Sequence, residues 1–141
     1  MADLSLVTED TLSLEKSYVQ LTLVASEAID AGEVLCIDPT TGKWALADSD
    51  DVDQLLYMAM KSVASGESVT GVHQGVVDGF DLSELDYGAP VYLSDTAGAI
   101  SSDDADTIQV GNVIPGQYPT LNTAYDKVLY FAPIAASVSG T

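Results

Sequence analysis

The stretch from Gly66 to Ile100, GESVTGVHQGVVDGFDLSELDYGAPVYLSDTAGAI, interrupts each apolar run after a few residues with a glycine turn. Val69 to Val72, Gly75 to Val77 and Val91 to Leu93 are short runs of β-forming residues, and Gly66, Gly79, Gly88 and Ala97-Gly98 punctuate them. A chain patterned this way folds into brief strands joined by tight turns. The stretch holds no constellation that a catalyst would need, so function must come from the surface the strands present, which favours a binding or structural role.

The same grammar extends in both directions. In SYVQLTLVA, from Ser17, residues Val19, Leu21, Leu23 and Ala25 alternate with Tyr18, Gln20 and Thr22, the signature of a strand with one buried face. Ala31-Gly32 turns the chain into Val34 to Asp38, and Pro39-Thr40-Thr41-Gly42 supplies a hairpin turn before Trp44 to Ala47. The run LLYMAMKSVA, Leu55 to Ala64, fits a helical stripe and a strand alternation equally well, and the turn and valines beyond it favour strand. Asp81-Leu82-Ser83-Glu84 has the spacing of a capping box, enough for one helical turn before Gly88 and Pro90. Thr107 to Ile114, with an irregularity at Gly111, and Lys127 to Ala132 complete about eight strands. Short strands at regular spacing, without βαβ alternation, predict an all-β fold: a small antiparallel barrel or sandwich with at most one short helix.

Length and charge bound the rest. A chain of 141 residues, 47% hydrophobic, is enough for one domain with its own core. Four lysines, Lys16, Lys43, Lys61 and Lys127, and no arginine stand against 22 acidic residues, a formal net charge of −18. Nucleic-acid binding draws its affinity from neutralising phosphates with basic side chains, so this chain is a poor candidate; an anionic membrane is disfavoured for the same reason. Cys36 is the single cysteine, set in the apolar run Val34 to Ile37, which predicts a buried thiol and no intramolecular disulfide. The opening MADLSLVTEDTLSLEK lacks the basic start and apolar centre of a signal peptide, so a soluble, cytoplasmically made protein is expected.

Three constellations invite a chemical reading. His73, the only histidine, has Ser68 and Asp78 near it in sequence, but no nucleophile elbow accompanies them, and an ordinary strand histidine is the better reading. Asp48, Asp50, Asp51 and Asp53, and separately Asp103, Asp104 and Asp106, offer carboxylates to a calcium ion, yet neither group has the glycine and terminal glutamate of an EF-hand loop. Solvated acidic loops are expected instead. Trp44, Tyr57, Tyr92, Tyr118, Tyr125 and Tyr130 are the residue types of a sugar-binding platform, although β cores and interfaces use the same residues. No catalytic residue, metal ligand or cofactor-binding residue is assigned.

The order of these elements carries a resemblance. Ala31-Gly32-Glu33-Val34-Leu35, Thr41-Gly42-Lys43-Trp44, Ala64-Ser65-Gly66-Glu67 followed by Gly75-Val76-Val77, Gly88 to Ser94, Gly98-Ala99-Ile100, Val110 to Val113 and Leu129-Tyr130-Phe131 together resemble the capsid decoration, or cement, proteins of tailed double-stranded DNA bacteriophages. The likeness runs from about Ser17 to Pro133 and is structural, so it transfers no individual binding residue. It implies a β-barrel or β-tulip that trimerises, binds the major capsid protein on the outer face of the shell at local threefold positions, and stiffens it. A receptor- or carbohydrate-binding fibre domain is the alternative from another class.

Within that frame residues 1–16 form an extended N-terminal arm and residues 17–141 the barrel domain. Leu4, Leu6, Leu12 and Leu14 alternate with serine and acidic neighbours, so the arm can run extended and bury leucines against an exposed strand edge of the capsid protein. Expected to be mobile until it docks, the segment has one competing reading, a simple first strand of the barrel.

Overall fold

The computed structural model describes residues 3–7, 12–48, 55–103, 108–116 and 127–133, with side chains of the first strand described from residue 20. Nine strands follow in chain order: β1 (Ser13–Val24), β2 (Val34–Ile37), β3 (Trp44–Leu46), β4 (Tyr57–Ala59), β5 (Ser68–Asp78), β6 (Pro90–Leu93), β7 (Ile100–Ser101), β8 (Gln109–Pro115) and β9 (Lys127–Phe131). Among the described residues there is no helix. The strands form one curled antiparallel sheet, a half-barrel in the order β3-β2-β4-β5-β9-β8-β6-β7, with β1 paired to β5. The all-β expectation holds.

β5 organises the molecule. β1 pairs along it from Ser13 opposite Asp78 to Val24 opposite Ser68, while β4 takes Gly71 and Val72 and β9 takes Gly75 to Val77. Val69 to Val72 and Gly75 to Val77, separate runs in the sequence, are therefore one strand. Three irregularities between Leu14 and Gln20 bend the β1–β5 ladder, and bulges of this kind raise local twist and curl a sheet.

Alternation along β2 and β4 divides the interior into two cores. Val34, Cys36 and Met58 face a principal core shared with Val77, Val91, Leu93, Val110, Val113, Leu129 and Phe131. Leu35, Tyr57 and Ala59, one residue out of phase, face a smaller core with Ala25, Ile29, Trp44 and Val69. Trp44 fixes that smaller core: fully buried, it donates Nε1–H to the Val69 carbonyl at 2.8 Å and packs 5.0 Å from the Tyr57 ring. Beyond the end of β1, Ala25 bridges Trp44 in parallel, tying the first strand to β3.

Local chemistry explains most boundaries. The β2–β3 hairpin turns at Asp38, whose carboxylate accepts the Thr40 amide at 2.8 Å, and Gly42 closes it at φ 71°. In Leu55 to Ala64 the strand reading prevails, because Tyr57 and Ala59 face one core and Met58 the other, so both faces of the run are buried. The predicted helical turn at Asp81 to Glu84 is a pair of turns instead: Asp81 Oδ1 accepts from both the amide and the hydroxyl of Ser83, and Leu85 N–H donates to the Leu82 carbonyl. The aspartate contact is of the kind a helix cap makes, but Gly88 and Pro90 follow too soon for a helix to propagate from it.

Candidate functional site

The N-terminal segment, with its alternating leucines, is the candidate site. Asp3 bridges Ser101 of β7 and the Leu4 amide donates to the Ile100 carbonyl at 2.9 Å. Leu6 then bridges Phe80, the Val7 amide donates to the Gly79 carbonyl, and the Asp81 amide donates to the Ser5 carbonyl at 2.6 Å. Residues 3–7 thus run extended from the outer edge of β7 to the turn after β5. They form a strap on the protein's own sheet.

Two glycines shape its seat. Gly32 has φ 87°, and a β-carbon there would stand 3.0 Å from Phe80 Cζ and 3.3 Å from Leu6 Cδ2. Gly79 has φ 138°, and its β-carbon would stand 2.9 Å from Leu12 Cα. Both positions combine a backbone conformation that favours glycine with a close approach that needs it. Leu4, Leu6 and Leu12 are partly buried against the principal core. Leu14 lies on β1 opposite Val77.

Three of the four predicted arm leucines are therefore gathered on this chain's own body, and the fourth begins its first strand. The described residues of the segment, 3–7 and 12–16, run extended, and Ser13 to Lys16 are already the start of β1. Phe80, Gly32, Gly79, Ile100 and Ser101, which build the seat, carried no arm-related signal in the sequence. Only the glycine before Phe80, at the end of a valine run, marks the place where a strand stops and something can cross.

The strap is poorly secured. Half-burial of a leucine contributes about 1 kcal/mol. A net backbone hydrogen bond contributes about 1 kcal/mol. Two half-buried leucines and the three described bonds together offer roughly 5 kcal/mol, most of which the entropy of ordering five residues offsets. Attachment and release lie close in free energy.

The other constellations resolve differently. Ser68 and Asp78 occupy opposite ends of β5, roughly 30 Å apart at the rise of a strand, with His73 between them, so the structure does not bring the three together. His73 instead donates Nδ1–H to the Leu56 carbonyl at 2.9 Å and packs on Tyr57. The tautomer follows from that acceptor. Trp44 and Tyr57 are buried in the smaller core, Tyr92 and Tyr130 are half-buried, and Tyr118 and Tyr125 lie outside the described residues. Tyr130 accepts Gln74 Nε2–H at 2.6 Å.

Among the acidic groups, Asp48 and Asp103 are described and Asp50, Asp51, Asp53, Asp104 and Asp106 lie outside the described residues. Among the described residues no cluster of three or more histidine, cysteine, aspartate or glutamate side chains is placed to hold a metal ion. Cys36 is buried. No described helix is long and apolar enough to cross a membrane. Among the described residues the exposed large apolar side chains are Val7, Leu55 and Tyr87, the last lying under the Lys127 ammonium at 5.2 Å from the ring centroid. No family model, curated protein or solved structure matches this chain.

Proposed function

We propose that this protein is a structural component of a tailed bacteriophage head, a decoration protein that binds the outer face of the capsid shell as a trimer at local threefold positions and stabilises it. The observation that carries the reading is the pairing of a small curled β-sheet with an extended N-terminal segment that presents leucines at alternate positions. The resemblance in element order from Ser17 to Pro133 supplies the biological setting. The partner is the major capsid protein, and the proposal assigns no reaction, cofactor or nucleic acid.

Charge supports an outer location. A protein of net charge −18 packed against encapsidated DNA would meet repulsion with no counterion release, whereas on the outside the same charge keeps particles dispersed. The fibre-domain alternative needs a rim of exposed aromatics, and with Trp44 and Tyr57 buried it has less to stand on. Cryo-electron microscopy of particles from the parent phage, made with and without this gene product, tests the proposal. Density for the barrel on the outer surface at threefold positions, lost in the deletion, is the expected result. Particles without such density, or protein reached by antibody only after the head is broken open, would refute it.

A further inference from the structure

We propose that residues 3–7 act as an autoinhibitory strap: the arm leucines that engage the shell are held on the protein's own sheet and must leave that seat first. The inference deepens the capsid-anchoring reading and rests on it for the identity of the shell. Its physical basis is independent. The faces of Leu4 and Leu6 that pack against the principal core, Phe80 included, cannot at the same time be offered to a second surface. The seat is shaped for the strap, since Gly32 leaves room where Leu6 passes and the Gly79 carbonyl accepts the Val7 amide.

The strap is also built to open alone. Among the described residues it is held by three backbone hydrogen bonds, one at the edge of β7 and two at the turn after β5, involving the amides of Leu4, Val7 and Asp81. The main ladders of β5 with β1, β4 and β9 do not include it. Opening therefore costs the strap contacts and leaves the two cores intact, so the closed form is a reversible lock whose release is a sub-global event. Shell binding is then weaker than the arm's intrinsic affinity by the fraction of molecules that are open.

Amide hydrogen exchange on the whole chain tests the lock. The amides of Leu4 and Val7 should be measurably protected, yet at least 100-fold less than those of Ala47 and Ala59, which donate to Val34 and Glu33 inside the body. Strap amides with no protection, or with the same protection as Ala59, would overturn the proposal, the first because the seat is not occupied and the second because it opens only on unfolding. A cross-link supplies the functional arm. Asp3 and Ser101 face each other at a position where the bond runs between their neighbours, the closely spaced pair of an antiparallel ladder, which suits a disulfide.

The variant Asp3→Cys with Ser101→Cys, in a Cys36→Ala background, should bind capsid shells at least 10-fold more weakly when oxidised than when reduced. Equal binding in the two states would overturn the autoinhibition. If the unmodified chain does not bind shells at all, the capsid reading fails, and the exchange experiment alone then decides whether the strap opens by itself.

Discussion

At Gly111 the backbone of β8 meets that of β9 so closely that a single methyl group has nowhere to go: a β-carbon there would lie 2.2 Å from the Tyr130 carbonyl oxygen. The obstacle is backbone in a paired strand, not a side chain that can rotate away. Gly111→Ala should cost at least about 3 kcal/mol or prevent folding, at the upper end of overpacking penalties. Gly42 provides the contrast, because nothing stands within 4 Å of its would-be β-carbon and only its φ of 71° opposes substitution. Gly42→Ala should cost about 1 kcal/mol. Urea denaturation of both variants measures the difference, and equal losses would mean that the approach at Gly111 relaxes. Trp44 makes a second residue-scale case, since it is fully buried and its indole N–H satisfies the Val69 carbonyl. Trp44→Phe removes that donor and leaves a void, and should destabilise by about 2–4 kcal/mol as followed by far-ultraviolet circular dichroism. A loss under about 0.5 kcal/mol would show that the smaller core is loosely packed and the carbonyl finds water.

β2 is the element on which the two cores depend together, with Val34 facing the principal core and Leu35 the smaller one. Adjacent residues on one short strand cannot release one core and hold the other. Val34→Ala and Leu35→Ala should therefore each destabilise the protein by about 2–4 kcal/mol in one shared transition, with Trp44 fluorescence and circular dichroism coinciding. Separate midpoints for the two probes would mean that the cores unfold independently. The elements that could be read in the sequence are those whose signals are local. The hairpin of Val34 to Ala47 carries its own turn residues, and the alternation of Leu21 and Leu23 with Gln20 and Thr22 reports one half-buried face. What the sequence left open depended on distant residues. Whether Leu4 and Leu6 are free or seated is decided by Phe80, Gly79 and Gly32, and an alternating leucine pattern looks the same in either case. The Asp81 to Glu84 spacing misled for the opposite reason: Asp81 makes a cap-like contact with the Ser83 amide, but Gly88 and Pro90 leave no room for a helix behind it.

For the molecule as a whole, the capsid reading requires three chains of net charge −18 to sit side by side. Their mutual repulsion extends over a Debye length of about 8 Å at physiological ionic strength and about 3 Å in 1 M salt. Apolar contacts would have to outweigh it, and Leu55 and Tyr87 are among the large described side chains left exposed to make them. Burial of apolar surface does not weaken when salt screens charge. A trimer assembled in this way should therefore be favoured by salt, with the mass from light scattering rising from near the 14.7 kDa of one chain toward three times that value between about 0.02 M and 1 M sodium chloride. Leu55→Asp together with Tyr87→Asp should abolish the rise, since each adds charge where contact is needed, and the variant should keep its circular dichroism because neither side chain lies in a core. A trimer whose mass falls with salt would point to ion pairs across the interface. A mass of one chain at every salt and protein concentration would rule out a preformed trimer and leave the shell itself to bring the three copies together.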